Sequence, residues 1–366
     1  MRVEELFDWG RMEQHIKDGA LSRQKHPTLP LYIVNYTHQC QFDGPWDDVT
    51  MQCRGLIYDD ARHVIARPFR KFWNLNDSRW PETQEANLPS ELPEITKKYD
   101  GSLGILWRYR GEWGIATRGS FISNQSRWGT QWAKRLDLEA FPLTYTPLFE
   151  IIYPENRIVV NYDFQGLVLL TMVGIEGSDE PSRSMVESKA LLAGCRAVKR
   201  FDKTLAECVA DNSKNEEGYV LRWPSTGLRI KVKLPEYVRL HKLITGISPK
   251  TIWEMLKTGE DCGDLLRDVP KEFENWVLFW EKAIVTDKEA VMNRALAIML
   301  SYPGEKNVAT KEQRKEFALY ATQHKDLSAI LFALLDSDHE RAAEVAWKMA
   351  RPRVTKDDVF KKDTDG

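Results

Sequence analysis

Residues 97–109 read KKYDGSLGILWRY and place two lysines, an acid and a glycine directly before an apolar, β-rich run. The amine of Lys98 would lie where a glycine lets the backbone and a substrate phosphate approach closely. A KxDG tetrapeptide alone is weak support for a nucleophile, because charged turns contain it by chance. The residues that follow it along the chain decide the interpretation.

Two acids and a pair of lysines follow in order. Glu150 stands in a run that leads into a strand, and Glu217, followed by Gly218, opens the run EGYVLRW. Lys231 and Lys233 lie two residues apart in RIKVK, so that both would point to one face of a strand. A candidate nucleophile, two acids and a strand with paired lysines therefore share this part of the chain.

The surrounding sequence predicts sheets. Short β-rich runs separated by Gly, Pro, Asn and Asp extend from about residue 30 to 245. They are LYIVNYT (31–37), RGLIYDD (54–60), HVIARPF (63–69), GILWRYR (104–110), WGIATRG (113–119), IVVNY (158–162), LVLLTMVGI (167–175), EGYVLRW (217–223) and LRIKVKL (228–234). Many connections are too short for a crossover helix, so we predict largely antiparallel sheets. Residues 4–18 and 185–210 predict helices.

The remainder of the chain predicts helices only. Ser248 and Pro249 form a capped helix start, and helical apolar spacing continues to about residue 351. We therefore predict an α+β fold with two domains, an antiparallel-sheet domain at 1–246 and an all-α domain at 247–366. The charged tail VTKDDVFKKDTDG (354–366) is expected to be frayed.

The composition is that of a globular, nearly neutral protein. Of 366 residues, 42% are apolar, and 52 Lys and Arg stand against 54 Asp and Glu. A neutral total still permits a basic groove, so nucleic-acid binding stays open. The five cysteines contain no CxxC pair, which gives no sign of zinc or a redox dithiol. No apolar stretch is long enough for a bilayer and no leader is evident, so we expect a cytoplasmic protein without a membrane partner.

In this order, these residues resemble the covalent nucleotidyltransferase superfamily, and most closely the ATP-dependent RNA ligases of the T4 RNA ligase 1 family. The resemblance covers about residues 35–245. Its further motifs are CRGL (53–56), ARPFRKFWN (66–74), TRGS (117–120) and PENRIVVNY (154–162). Family members can carry lysine where this chain has Arg118, so the cation is kept and only its geometry differs.

The resemblance implies a covalent ligase mechanism. AMP would pass from ATP to Lys98, then to an RNA 5′-phosphate, and an RNA 3′-hydroxyl would displace it. Lys98 would attack as a neutral amine although free lysine titrates near pH ~10.4, and neighbouring cations would favour that form. The expected partner is RNA with 5′-phosphate and 3′-hydroxyl ends, a nicked tRNA among the candidates. No protein partner is implied, and we expect a monomer.

The resemblance also implies a role for each motif residue. The expected catalytic residues are Lys98, Glu217, Lys231 and Lys233. The expected nucleotide-binding residues are Arg54, Lys71, Asp100, Gly101, Ser102, Arg118, Glu150, Gly218, Lys231 and Lys233. Lys231 would contact the α-phosphate, Arg54 and Lys71 the outgoing pyrophosphate, and Arg118 the ribose or a phosphate. Glu217 would hold Mg²⁺, or Mn²⁺ in its place, because hard cations prefer carboxylate oxygens. Glu150 would contact the ribose or help to hold that metal.

Several alternatives stay open. Arg54 and Lys71 could be surface charges, and either Phe72 or Trp73 could stack on the adenine. A DNA ligase or a capping guanylyltransferase shares the KxDG motif, but no OB-fold is evident after Lys233. A non-catalytic RNA-binding module is the alternative from another class. The helical domain could direct the enzyme to a structured RNA or serve as a scaffold.

Overall fold

The computed structural model describes residues 1–266, 269–305 and 310–353. Its contacts divide the chain into two compact units, one from Met1 to His241 and one that begins at Lys242. This division lies within a helix, Pro235–Gly246, and the domain boundary predicted at residue 246 stays a prediction. The tail predicted to be frayed, 354–366, lies outside the described residues.

The first unit contains fourteen strands. They are β1 (Leu21–Lys25), β2 (Leu31–Tyr36), β3 (Arg54–Asp59), β4 (Val64–Ala66), β5 (Trp73–Asn74), β6 (Glu94–Lys98), β7 (Ser102–Tyr109), β8 (Glu112–Ala116), β9 (Tyr145–Ile152), β10 (Gly166–Gly174), β11 (Arg196–Ala197), β12 (Arg200–Phe201), β13 (Gly218–Arg222) and β14 (Arg229–Lys233). The α-helices that begin before the division are α1 (Trp9–Lys17), α2 (His38–Asp43), α3 (Asp48–Gln52), α4 (Asn124–Ala133), α5 (Arg183–Ala193), α6 (Leu205–Val209) and α7 (Pro235–Gly246).

The strands form three sheets. The first sheet has the order β1-β2-β3-β4, the second β11-β10-β9-β7-β8 and the third β12-β6-β13-β14-β5. Their pairings are antiparallel, except that β10 pairs with β11 and β14 pairs with β5 in parallel. The predicted α+β class with largely antiparallel sheets is therefore confirmed.

The second sheet carries the central core of this unit. Strand β10 is buried along nearly its whole length, in keeping with its apolar sequence. Helices α4 and α5 pack on one side through Ala133 and Val186, which contact the cluster that contains Leu169. On the other side, Leu148 of β9 packs with Ile33 of the first sheet. These layers hold β7 and β9 rigidly beside the third sheet.

The register of the third sheet brings the motif lysines together. Gly218 at the start of β13 lies opposite Lys98 of β6 on one side and opposite Lys233 of β14 on the other. Two residues along, Val220 lies opposite Thr96 and Lys231. The nucleophile candidate and the paired lysines are therefore separated by a single strand.

Three local predictions differ from the structure. IVVNY (158–162) is not a strand, because the amides of Val159 and Val160 donate to the side chain of Asp100 instead of a neighbouring strand. The first α-helix begins at Trp9, where the side chain of Asp8 caps it, and not near residue 4. Lys98 ends a strand of its own, β6, rather than standing only before β7.

The second unit is helical in its described residues. Its helices are α8 (Pro249–Thr258), α9 (Lys271–Ser301), α10 (Lys311–Ala321), α11 (Ser328–Leu335) and α12 (His339–Met349). Ser248 caps α8 as predicted, and Gly259 ends it with φ near +80°. Helix α9 continues without a break through Lys271–Ser301, a stretch that contains neither Gly nor Pro. None of the described helices is long and apolar enough to cross a bilayer.

The hairpin of β13 and β14 provides a test of the register. Gly218 has φ near +141°, and a Cβ there would lie 2.0 Å from the carbonyl oxygen of Val232. In the turn of the same hairpin, Gly227 has φ near +70° with open space around it. We expect Gly218→Ala to lower the free energy of unfolding by about 3 kcal/mol and Gly227→Ala by about 1 kcal/mol. Urea denaturation of the two variants measures both losses, and equal losses would contradict the close approach at Gly218.

Candidate active site

A cleft lies between the second and third sheets, and we name it the Lys98 cleft. Seven of the predicted site residues line it: Arg54, Lys71, Lys98, Arg118, Glu150, Lys231 and Lys233. The other five adjoin Lys98 along the chain or across the third sheet: Asp100, Gly101, Ser102, Glu217 and Gly218. Tyr36, Phe69 and Phe72 complete much of the wall. Residues predicted from separate motifs thus lie together in or beside the Lys98 cleft.

Behind the wall of the cleft lies a carboxylate shared by two lysines that line it. Lys98 Nζ lies 2.6 Å from Glu217 Oε1, and Lys233 Nζ lies 3.4 Å from the same oxygen. Glu217 is 0% exposed, whereas the Lys98 side chain retains 15% exposure toward the cleft. A buried carboxylate is tolerated only when it is paired, so the two lysines satisfy Glu217 and Glu217 positions the nucleophile candidate.

The donor set around Glu217 fits a divalent metal held mainly by substrate oxygens. Within the described residues, Glu217 Oε2 is buried and makes no hydrogen bond. Glu150 lines the same cleft. In the part of the chain that the structure describes, no three or more His, Cys, Asp or Glu side chains are grouped so that they could hold a metal ion by themselves. Mg²⁺ commonly binds through one or two carboxylates, with water and phosphate oxygens as its remaining ligands. Glu217 and Glu150 suit that arrangement better than a site built from protein ligands alone.

The glycine after Asp100 allows a close approach of two strands. A Cβ on Gly101 would lie 2.6 Å from the carbonyl oxygen of Ile151 and 3.0 Å from Glu150 Cγ. The next residue, Ser102, donates through Oγ to Asn156 Oδ1 at 3.2 Å. The structure therefore gives Gly101 a role within the protein, because it lets the Lys98 segment lie against the strand that carries Glu150.

Asp100 connects the Lys98 segment to two other parts of the chain. Its Oδ2 accepts hydrogen bonds from the amides of Val159 and Val160, both at 2.8 Å, and its Oδ1 accepts from the Tyr237 hydroxyl at 2.8 Å. Its own amide donates to the Tyr162 hydroxyl at 2.7 Å. Burial raises the pKa of the Asp100 carboxyl, the charge of Glu217 acts in the same direction, and these hydrogen bonds oppose both. Asp100 thus holds the Lys98 segment in position.

Tyr36 joins two of the predicted phosphate-binding cations. Its hydroxyl accepts hydrogen bonds from Arg118 Nη1 at 2.7 Å and from Lys71 Nζ at 3.3 Å. The ammonium of Lys71 also lies 4.6 to 5.3 Å from the ring centroids of Tyr36, Trp46 and Trp73. Lys71 is only 6% exposed, so it is not the surface charge that the sequence left open. The aromatic rings fix its ammonium group at the edge of the Lys98 cleft.

Phe69 and Phe72 form a platform for further cations. Arg54 lies 5.2 and 5.6 Å from the centroids of these two rings, and Arg229 lies 4.7 and 5.7 Å from them. Phe72 lines the cleft, whereas Trp73 is buried and stacks on Trp80 at 4.9 Å. Of the two rings considered for the adenine, only Phe72 faces the cleft.

A buried ion network that the sequence did not reveal supports this platform. Arg229 Nη2 contacts both oxygens of Glu180 at 2.7 Å, and Arg222 lies between Glu180 and Glu94, at 3.4 and 3.2 Å. Arg183 adds a contact to Glu94 at 3.4 Å. Burial would raise the pKa of Glu180, but Arg229 and Arg222 outweigh burial and lower it. Glu180 therefore remains charged and keeps Arg229 in place.

Comparison with known proteins identifies the family. Residues 52–237, just over half of the chain, match the family model described as RNA ligase. The chain belongs to the RNA ligase family. The matched region contains every predicted site residue, from Arg54 to Lys233.

Individual relatives carry the same name. The chain is 24% identical to an RNA ligase of Rhodothermus phage RM378 over 93% of its own length and 92% of the relative's. It is 30% identical to RNA ligase 1 of bacteriophage TS2126 over 34% of each. Among solved structures, it is similar to an archaeal ATP-dependent RNA ligase at 14% identity and a TM-score of 0.47, over 86% of each chain. A Naegleria gruberi RNA ligase structure with ATP and Mn gives 16% identity and a TM-score of 0.38, over 49% of this chain and 60% of that one.

The sequence of this RNA ligase did not reveal the residues that contact the site from distant parts of the chain. Tyr36, Tyr162 and Tyr237 each bond a site residue through a hydroxyl, but they lie far from it along the chain. One signal was available, because Val159, Val160 and Tyr162 belong to a motif that carries the family resemblance. Tyr36 and Tyr237 lie in no such motif, so only the fold reveals them.

Asp100 provides a test of the positioning network. Asp100→Ala leaves two buried amides and the Tyr237 hydroxyl without their acceptor, so we expect a loss of about 4 kcal/mol in the free energy of unfolding. Asp100→Asn keeps an oxygen for both amides and an amide group that can donate to Tyr237, so we expect a loss of about 1 kcal/mol. Chemical denaturation compares the two variants, and similar losses would refute the assigned hydrogen bonds.

Proposed function

We propose that this chain is an ATP-dependent RNA ligase that joins RNA 5′-phosphate and 3′-hydroxyl ends through a covalent AMP on Lys98. The observation that carries the proposal is the contact of Lys98 Nζ with buried Glu217, in a cleft lined by five further cations of the predicted set. A structural lysine needs neither an accessible cleft nor this many neighbouring cations. A nucleophile that attacks a triphosphate needs both.

In the proposed first step, Lys98 Nζ attacks the α-phosphorus of ATP. A bond forms between Nζ and the α-phosphorus, the bond from that phosphorus to the bridging oxygen breaks, and pyrophosphate leaves. Nζ must lose a proton before it can attack, and Glu217 Oε1 at 2.6 Å is positioned to accept one. Lys233 shares the same oxygen and would hold the carboxylate when Lys98 moves toward the nucleotide.

The other cations would neutralise the phosphates. Lys231 lies on the same face of β14 as Lys233 and suits the α-phosphate. Lys71 and Arg54 are held by aromatic rings and suit the leaving pyrophosphate. Arg118, fixed by Tyr36, suits the ribose or a phosphate. Phosphoryl transfer depends chiefly on such positioning and charge stabilisation.

Glu217 and Glu150 are the residues that would hold Mg²⁺, or Mn²⁺ in its place. A divalent metal at these carboxylates would offset negative charge on the phosphate oxygens. Glu217 must then serve both the metal and the lysines, and its two oxygens allow this, since Oε1 contacts the lysines while Oε2 is buried without a hydrogen bond in the described structure.

The later steps would use RNA. The RNA 5′-phosphate displaces Lys98 from the AMP to give an RNA-adenylate, and a 3′-hydroxyl then attacks the 5′-phosphorus and releases AMP. The biological task that we propose is repair of broken RNA, with a nicked tRNA as the substrate to test first. The sequence similarity to an RNA ligase extends over 93% of this chain and 92% of the relative, which supports this proposal over a non-catalytic RNA-binding module.

Covalent labelling tests the nucleophile. We expect α-labelled ATP with Mg²⁺ to label the wild-type protein, seen on a denaturing gel, and Lys98→Arg to show no label. Arginine keeps the positive charge beside Glu217 but is not a competent nucleophile, so the variant should stay folded. Lys134→Arg, at an exposed position after α4, is the matched control and should label as the wild type does.

The other outcomes separate the alternatives. Label from GTP instead of ATP would indicate a capping guanylyltransferase, and sealing of DNA but not RNA ends would indicate a DNA ligase. Unchanged labelling of the Lys98→Arg variant would refute Lys98 as the nucleophile. A folded wild type that takes label from neither nucleotide and carried no AMP on purification would refute the enzymatic proposal.

Glu217→Gln tests the central carboxylate. Glutamine keeps the shape of the side chain but removes the charge that pairs with Lys98 and would bind the metal, so we expect labelling to slow by about 100-fold at saturating ATP. Removal of divalent metal with a chelator should abolish wild-type labelling. The matched control is Glu187→Gln, at an exposed position on α5. Wild-type rates in the Glu217→Gln variant would contradict both assigned roles.

A further inference from the structure

A second cleft adjoins the Lys98 cleft, and we name it the Tyr162 cleft. It is lined by Lys97, Tyr99, Tyr162, Phe164, Lys199 and Lys214, among others. Three of these residues form an aromatic cluster, since the ring centroids of Tyr99 and Tyr162 are 5.7 Å apart and those of Tyr162 and Phe164 are 5.4 Å apart. Tyr162 and Phe164 are partly exposed. The function proposed above uses none of these rings as a binding surface.

Cations surround the aromatic cluster. Lys97 Nζ lies 5.6 Å from the Tyr99 ring and 5.9 Å from the Tyr162 ring, and the Arg196 guanidinium lies 4.5 Å from the Phe164 ring. Lys199 and Lys214 are exposed on the rim. The acids of this surface are Asp163 and Glu216, and Glu216 is paired with Lys97 at 3.1 Å. The lining itself has three cations and two acids, and Arg196 beside it adds a fourth positive charge, which favours a polyanion.

The two clefts share a wall at the nucleophile. Lys97 and Tyr99, the immediate neighbours of Lys98, line both of them. Lys98 stands between these two residues in the chain, so the Tyr162 cleft borders the Lys98 segment. The Tyr162 hydroxyl also accepts a hydrogen bond from the amide of Asp100, which ties the aromatic cluster to that segment.

We propose that the Tyr162 cleft binds the single-stranded RNA end that carries the 5′-phosphate and delivers that phosphate to Lys98. The proposal rests on the proposed function and specifies where its second substrate binds. Exposed rings beside lysines suit a single strand, because unpaired bases stack on aromatic side chains while cations contact the phosphates. Because Lys97 and Tyr99 line both clefts, an RNA end in the Tyr162 cleft would lie next to the Lys98 segment.

Two lysines on the rim permit a test that leaves the catalytic residues intact. We expect Lys199→Ala with Lys214→Ala to weaken binding of a labelled, 5′-phosphorylated single-stranded RNA of about twelve nucleotides by about tenfold. Each phosphate contact on a single strand contributes about 0.7 to the slope of log affinity against log salt, so the slope should fall by about 1.4. Fluorescence anisotropy over a salt series measures both values.

A matched control separates the effect of the rim lysines on RNA binding from the effect of the total charge of the protein. Lys17→Ala with Lys134→Ala removes two exposed lysines elsewhere in the first unit and should leave the salt slope as in the wild type. Phe164→Leu keeps an apolar side chain but removes a stacking ring, so we expect an affinity loss of about tenfold with an unchanged salt slope. Wild-type affinity and slope in the rim double variant would overturn the proposal, as would equal losses in the control pair.

Further measurements identify the type of nucleic acid that binds. They also separate failure of this proposal from failure of the proposed ligase function. Equal affinity for single-stranded DNA of the same sequence would overturn the assignment to RNA. Labelling by ATP should proceed at the wild-type rate in the rim double variant, because that step needs no RNA. If the wild type takes no label, the proposed ligase function fails, while the salt slopes still report whether the Tyr162 cleft binds a strand.

Discussion

A fully buried carboxylate held between two lysines is the interaction on which the candidate site depends. Removing one partner of such a charge costs about 3 to 5 kcal/mol, which favours close contact of both Lys98 and Lys233 with Glu217 in the absence of a nucleotide. Their distances depend on the register of three strands, in which both lysines lie opposite Gly218. That register in turn requires glycine, since φ near +141° and the nearby carbonyl oxygen of Val232 exclude a side chain. One backbone position thus controls the geometry of the proposed nucleophile.

A second constraint links this sheet to the rest of the unit. Asp100 accepts hydrogen bonds from Val159, Val160 and Tyr237, so the segment after Lys98 is tied to a loop after β9 and to the helix that follows β14. Glu217 and Asp100 are two buried acids near one lysine, but their surroundings differ. Both oxygens of Asp100 accept hydrogen bonds from donors within the protein, whereas the carboxylate of Glu217 is paired with Lys98 and Lys233. Asp100 is therefore suited to positioning, and Glu217 to chemistry.

The sequence predicted the parts of the fold and site that depend on local pattern. Lys231 and Lys233 share a face of β14 because strand side chains alternate, and that spacing is visible in five residues. Interactions distant in sequence were not predictable. IVVNY (158–162) has the composition of a strand, yet its amides bond to Asp100, which no local pattern reveals. Tyr36 joins Lys71 to Arg118 across the fold, and its hydroxyl looks like that of any buried tyrosine until the sheets are assembled.

Two adjacent lysines differ in their environments, and the difference is the reason for proposing Lys98 as the nucleophile. Lys97 and Lys98 each pair with a glutamate, Glu216 and Glu217, and the alternation of strand side chains separates the two pairs. Glu216 keeps 27% exposure, so water screens its pair and the contact contributes at most about 1 kcal/mol. Glu217 has no exposure, so its electrostatic interaction with Lys98 is much stronger and any change in charge at the cleft acts directly on the lysine. The Lys98 pair would therefore respond to the nucleotide of the proposed reaction, whereas the Lys97 pair is partly exposed and lines the Tyr162 cleft, where we propose that RNA binds.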